Sequence, residues 1–215
     1  MCDNLLSINL PEGISEIKEY TFYNCSKLKL IEFPSSLIII GNNAFDGSGL
    51  TNLFITSEVS QIGKGAFENC KKLESIKVDE GNNSFNSRNN CNAIIDNNNV
   101  LLVGCKKSFI PNDVISIGSD AFKGSTIESI EIPESVKSIE EESFYWSSLK
   151  CVLFSSSVTS IGNGAFRMCT NLEEIISNIY VPFPIDDNVF YDISTSIYSS
   201  AILRVPIGKI DVYKN

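Results

Sequence analysis

Histidine is absent from all 215 residues of the chain, and with it the commonest general base and the commonest metal ligand. Ser-His-Asp and Cys-His sites of the usual kind are thereby excluded. What remains for chemistry is seven cysteines and two carboxylate clusters, Glu140-Glu141-Glu142 and Asp186-Asp187. A calcium loop needs oxygen ligands at alternating positions around a glycine turn, and no DxDxD pattern occurs. Asp186 and Asp187 read instead as the N-cap and first-turn acid of a short helix through Phe190, and the Glu140 run as a solvated face. There is no CxxC pair, nucleophile elbow or glycine-rich phosphate loop. The expectation is a chain that is not an enzyme, with no catalytic residue, no metal site and no cofactor.

Any site must be positioned by the elements, and these are set by a repeat. A small residue followed by Phe recurs at Thr21-Phe22, Ala44-Phe45, Ala66-Phe67, Ala121-Phe122, Ser143-Phe144 and Ala165-Phe166, with the Phe positions 23, 22, 55, 22 and 22 apart. The interval of 55 is one period of 22 plus an insert of about 33 residues. Ahead of each Phe stand two apolar residues three apart, such as Leu37 and Ile40 or Val136 and Ile139. They predict a short strand with two inward side chains. After it, sets such as Leu50, Leu53 and Ile55 predict a second strand, closed by Pro in Leu10-Pro11, Phe33-Pro34 and Ile132-Pro133. One unit cannot bury these side chains alone, whereas stacked units place like over like. A solenoid follows, with a rise of about 4.8 Å per coil where strands pair and the Phe column as its interior spine.

The cysteines divide along the same lines. Cys25, Cys70 and Cys169 fall three residues after a Phe, where Ser48, Ser125 and Ser147 stand in the other units. They are expected to be buried, free and inert, because two coils separate Cys25 from Cys70 by about 10 Å, beyond the roughly 7 Å Cα limit of a disulfide. In the insert, Ala93 to Ile95 and Val100 to Val103 flank Asp96-Asn97-Asn98-Asn99 and predict a β-hairpin with Cys91 and Cys105 near its open end. A three-residue loop sets those two cysteines opposite one another and a two-residue loop offsets them by one, so a bridge and a reduced pair both remain open. The hairpin is expected to cap or extend the solenoid flank, being marginal by itself in water. Asn24-Cys25-Ser26 and Asn82-Asn83-Ser84 match the glycosylation triplet, the first at a position expected to be buried.

The units SQIGKGAFENCKKLESIKV, ISIGSDAFKGSTIESIEIPESV and TSIGNGAFRMCTNLEEI resemble BspA-type leucine-rich repeats. The insert SRNNCNAIIDNNNVLLVGCKKSFIPNDVISIG is similar to the NAII hairpin between repeats of Bacteroidetes members, and PIDDNVF with AILRVPIGKIDVYKN to the family's closing cap. The resemblance implies a right-handed leucine-rich-repeat solenoid, β-rich with short helical turns, of about seven coils of 22–23 residues. It would form a single unit over 1–215, with repeats at 5–78 and 114–178, a hairpin insert at about 79–113 and a cap-like segment at 179–215. It also implies a chain exported or displayed at the cell surface, associated with adhesion and with protein or carbohydrate binding rather than catalysis. The chain opens within a repeat and carries no signal peptide, which reads as a trimmed or partial product.

Composition narrows the partners. Lys and Arg number 17 against 26 Asp and Glu, a net charge of −9, which argues against a nucleic-acid phosphate backbone. Mean hydropathy is +0.05, and the longest apolar runs fall far short of the roughly 18–20 residues of a membrane span. Alternation along the second strand sets Leu30, Asn52, Ser75, Ser129, Cys151 and Glu174 in one outward column and Glu32, Phe54, Lys77, Glu131, Leu153 and Ile176 in the other. Together they are expected to make one continuous exposed face. The candidate ligand-binding residues are Phe54, Lys77, Glu131, Leu153, Glu174 and Ile176. Leu153 beside Ile176 forms an apolar patch of the kind that marks a partner site, unless a C-terminal element covers it. The reading is a noncatalytic binding or adhesion module for a protein or glycan, such as a host extracellular-matrix or cell-surface component. Its alternative is a structural spacer in a larger surface protein, with no ligand of its own.

Overall fold

The computed structural model describes residues 2, 4–191 and 201–213. Before the insert come β1 (Ser7–Asn9), β2 (Glu16–Ile17), β3 (Leu30–Glu32), β4 (Ile39–Ile40), β5 (Asn52–Ile55), β6 (Gln61–Ile62) and β7 (Ser75–Val78). The insert holds β8 (Phe85–Asn86), β9 (Ala93–Asp96) and β10 (Val100–Gly104). After it run β11 (Ser116–Ile117), β12 (Ser129–Ile132), β13 (Ser138–Ile139), β14 (Cys151–Phe154), β15 (Ser160–Ile161), β16 (Glu174–Ser177) and β17 (Ile202–Arg204). The fold is a β-solenoid of about seven turns. Among the described residues helix is confined to two short 3-10 segments, Arg88–Asn90 and Ile210–Tyr213, and no helix is long and apolar enough to cross a membrane.

Two series of strands alternate. The longer ones bury every second side chain, Leu53 and Ile55 in β5, Ile130 and Ile132 in β12, Val152 and Phe154 in β14, as a half-covered strand of period two requires. They pair in parallel one coil apart, so Glu131 faces Leu153 and Leu153 faces Ile176. The strand ahead of each Phe is shorter than its sequence pattern predicts. Only two residues pair, as in Ile39–Ile40 and Ser138–Ile139. Two apolar residues three apart cannot share one face of a strand. The first of each pair lies instead in the preceding turn, where Leu37 N–H donates to Pro34 O at 3.1 Å and Val136 N–H to Pro133 O at 3.1 Å.

The turn around each Phe repeats a backbone device. Two residues before the Phe stand Tyr20, Asn43, Gly65, Asp120, Glu142 and Gly164, and two after it Asn24, Gly47, Asn69, Gly124, Trp146 and Met168, all with φ between +52° and +70°. Asn and Gly tolerate this left-handed region, and together they fill seven of the twelve positions. The rings between them stack, with centroids 5.1 Å apart for Phe22–Phe45, 5.4 Å for Phe45–Phe67, 4.9 Å for Phe122–Phe144, 5.0 Å for Phe144–Phe166 and 5.3 Å for Phe166–Phe190. The last pair corrects the helix expected after Asp186. Residues 187–190 form a turn that carries Phe190 onto the ring column without a positive φ at Asn188, opened by Asn188 N–H donating to Asp186 Oδ1 at 2.8 Å.

The insert enters the sheet of two-residue strands. β10 pairs antiparallel with β9 and parallel with β11, Val100 opposite Ser116 and Leu101 opposite Ile117. It also displaces one rung of the Phe column. Gly104 N–H donates to Ala121 O at 2.7 Å, a bond made elsewhere by a Phe N–H, as from Phe144 to Ala165 O at 2.8 Å. A Cβ on Gly104 would be driven into the Phe122 ring. Phe67 and Phe122 are thus separated, and two buried clusters result. Ile94 and Cys105 pack with the N-terminal one, Ile95 and Leu101 with the C-terminal one.

β17 extends the face series beside β16, with Ile176 opposite Arg204. Tyr213 Oη donates to Ile179 O at 2.6 Å, tying the end of the chain to the last coil. Residues 192–200, 214 and 215 of the expected cap lie outside the described residues.

Candidate functional site: the outer face of the long strands

The outward positions follow the sequence register, but the face is not continuous. β1 pairs with β3, β5 with β7, and β12, β14, β16 and β17 form a third sheet in that order, so neither β3 and β5 nor β7 and β12 are paired strands. The insert explains the break between β7 and β12: Lys106 N–H donates to Leu73 O at 3.2 Å and Lys107 Nζ meets Glu74 at 2.7 Å, where the next coil would otherwise stack. The six candidate residues therefore fall into two groups. Phe54 and Lys77 are opposite one another on β5 and β7. Glu131, Leu153, Ile176 and Glu174 share the sheet of β12, β14 and β16.

In the second group Leu153 and Ile176 are half-buried neighbours and Glu131 is exposed. β17 lies alongside them in the same sheet rather than over them, adding exposed Ile202 opposite Glu174. Arg204 pairs with Glu174. Burial, then the charge and hydrogen bond of Glu174, holds the Cys151 thiol above its ordinary pKa. In the first group the Phe54 ring is 50% exposed and borders a groove whose far side is the insert segment from Asp79 to Asn90.

The cysteines of the Phe turns and of the insert are buried. Cys25, Cys70 and Cys169 are buried and free. Cys70 Sγ donates to Phe45 O at 3.2 Å with Ser48 Oγ at 3.2 Å, and Cys169 Sγ to Phe144 O at 3.1 Å with Ser147 Oγ at 3.3 Å. Burial pushes the Cys70 thiol up to about 12 and the Cys169 thiol to about 11. Cys91 and Cys105 are also free and buried. A bulge between Leu101 and Val103 shifts the hairpin register, from Leu101 opposite Ile95 to Gly104 opposite Ala93. That brings Cys105 beside Asn92, whose carbonyl its thiol meets at 3.3 Å, instead of Cys91.

Two of the three glutamates expected to form a solvated face, Glu140 and Glu142, are instead half-buried and bonded within the protein. Glu140 accepts from Ser116 Oγ at 2.9 Å and Ser138 Oγ at 2.8 Å. Glu142 joins an assembly that sequence reading missed, because its members come from different coils. Lys123 Nζ lies 2.8 Å from Glu142, 3.1 Å from Asp120 and 3.3 Å from Glu68. Burial and the nearby Asp120 charge raise the Glu68 pKa. Burial works against the Lys123 ammonium, but its bonds to Glu142 and Asp120 outweigh this and hold its pKa above the lysine value. Shared offset from the Phe was the available signal: Glu68 and Lys123 stand one residue after it, Asp120 and Glu142 two residues before it. Asn24 is half-buried rather than buried. Asn82 donates to Thr56 O and Val59 O, both at 2.8 Å, so its carboxamide braces backbone.

A family model described as the BspA type leucine rich repeat region matches residues 1–101 and 102–209. No curated protein matches the chain. Among solved structures, a leucine rich cell surface protein from Faecalibacterium prausnitzii is 23% identical, with TM-score 0.70 over 99% of this chain and 62% of its own. A leucine-rich repeat protein from Eubacterium ventriosum is 20% identical, with TM-score 0.63 over 87% and 64%. The pneumococcal vaccine antigen PcpA is 21% identical, with TM-score 0.65 over 83% and 52%. The chain therefore spans less than two thirds of the length of each.

Proposed function

Because the chain belongs to the BspA-type leucine-rich repeat family, we propose that it is a noncatalytic binding module, acting at the cell surface, that engages a protein or glycan through the outer face of its long strands. The family's role is coarse, a binding or structural repeat. The observation that supports binding over spacing is the pair Leu153 and Ile176, neighbours in register on the outer face and uncovered by the described part of the C-terminal segment. A spacer needs no apolar side chains in outward positions, where Ser129 and Glu131 serve one coil earlier. Glu131 and Arg204 supply a charged rim around a small apolar centre, the usual arrangement of a recognition patch.

The test is binding of the purified protein, beside a Leu153→Asp/Ile176→Asp variant, to an array of extracellular-matrix proteins and glycans. Binding lost in a variant of unchanged melting temperature is the expected result. Lost melting would mean the pair serves packing, and silence across the array would favour the spacer.

A further inference from the structure

β7 ends at Val78, and the chain then leaves the solenoid instead of closing its coil. Residues 79–90 rise beside the outer face and enclose, with Phe54 and Lys77, a groove of about 740 Å³, within the roughly 300–1,000 Å³ of small-molecule sites. Its wall is braced. Val78 N–H donates to Ser87 Oγ at 2.9 Å, and Arg88 donates to Asp113 and to Asn99, each at 2.8 Å. Phe85 is buried within the same segment. The groove is preformed, so a ligand need not order it.

Its chemistry is mixed in a particular way. The floor is an aromatic ring half open to solvent. The rim carries Asn89 and Asn90, held left-handed at φ 58° and 55°, and among the described residues neither carboxamide has a hydrogen-bond partner. Each carboxamide both donates and accepts. Arg88 is already engaged by Asp113, which leaves Lys77 against Asp79 and Glu80, a small net negative charge that disfavours an anion. An extended peptide would want a long open strand edge, yet β8, the edge strand lining the groove, is only two residues long. A pyranose fits better, offering an apolar C–H face to the ring and hydroxyls that both donate and accept.

We infer that the Phe54 groove is a subsite for a neutral oligosaccharide, with Phe54 as the stacking platform and Asn89 and Asn90 as hydroxyl partners. The inference rests on the binding-module reading, but on the other group of outward residues. The test titrates neutral di- to tetrasaccharides of glucose, galactose, mannose and N-acetylglucosamine into the full chain and into the variants Phe54→Ala, Asn89→Gly and Leu153→Asp/Ile176→Asp. Glycine keeps the left-handed backbone, so Asn89→Gly removes only the carboxamide. At least one saccharide should bind, about tenfold or more weakly in Phe54→Ala and Asn89→Gly, and unchanged in the double variant, with melting temperatures unaltered. No binding by any saccharide, binding indifferent to Phe54 and Asn89, or a peptide ligand displaced by Phe54→Ala would each overturn it. A ligand lost only in the Leu153/Ile176 variant would overturn the groove while leaving the binding module standing.

Discussion

The seven cysteines separate by surroundings. Cys2 is exposed, Cys151 half-buried and the other five buried; because the thiolate is the reactive species, burial suppresses reaction twice, by access and by raised pKa. Iodoacetamide at pH 8 followed by mass spectrometry should label Cys2 first and Cys151 slowly, leaving Cys70 and Cys169 untouched until denaturant is added. Prompt labelling of Cys70 would contradict the packing. Lys123 makes the opposite argument, for a group that sequence reading passed over. Removing its ammonium leaves Glu68, Asp120 and Glu142 without their shared counter-charge, so Lys123→Met should cost about 2–4 kcal/mol at pH 7 in urea unfolding. The sign of the pH dependence follows. Glu68 already has a raised folded pKa, so its contribution to stability is present below the unfolded carboxylate pKa and lost as pH rises through the folded value. Without Lys123 that folded pKa rises further, and the deficit of the variant should shrink as pH falls from 7 toward 5. A deficit independent of pH would show that Lys123 acts by packing alone. The residues of this cluster were invisible as a site because Glu68 and Asp120 are more than fifty residues apart in a chain whose insert hides their adjacency.

At the scale of elements the period carried most of the fold. The Phe spacing located six coils and missed the one closed by Phe190, which was read as a short helix, while alternation in the long strands located the outward columns. Three features were not legible. The strands ahead of each Phe shrink to two residues, because an i, i+3 apolar pair satisfies a turn and a strand together. The bulge at Leu102 that offsets Cys105 from Cys91 leaves no mark in an apolar run. The division of the outer face depends on where the insert's exit lies, which no local pattern encodes. Gly104 is the residue on which that junction turns. Its N–H replaces a Phe N–H in the ladder and its missing side chain makes room for Phe122. Gly104→Ala should therefore destabilise the protein by about 1–3 kcal/mol through overpacking, read as a lower urea midpoint, whereas Gly13→Ala, with open space around it but φ +94°, tests backbone strain alone. Equal effects of the two would remove Gly104 from its proposed place in the column.

Across the whole molecule the insert is what makes two stacks into one. Solenoid stability is close to a sum of coil terms and nearest-neighbour interfaces, and the interface between the third and fourth coils lacks the ring contact the others have. What replaces it is of a different kind: the hairpin contributes side chains to both buried clusters, Asn69 N–H donates to Lys123 O at 3.1 Å, and the Lys123 cluster ties Glu68 on one side to Asp120 and Glu142 on the other. An interface held by the hairpin, one ion cluster and a few further contacts such as Thr126 Oγ1 donating to Lys71 O at 3.2 Å, without a stacked ring pair, is the place where cooperativity should first fail. The single tryptophan, Trp146, lies in the C-terminal stack and its ring also meets Lys71 of the third coil at 4.2 Å, so its fluorescence follows mainly that stack, with the Lys71 contact reporting the junction, while far-UV circular dichroism reports both stacks. In the wild type the two urea transitions should coincide. In a Gly104→Ala/Lys123→Met variant they should part, the dichroism gaining a second step that Trp146 does not follow, because coils on either side of the weakened interface then unfold on their own terms. Transitions that still coincide would mean that the strand pairing of β10 with β11, which neither substitution touches, is enough to couple the two stacks.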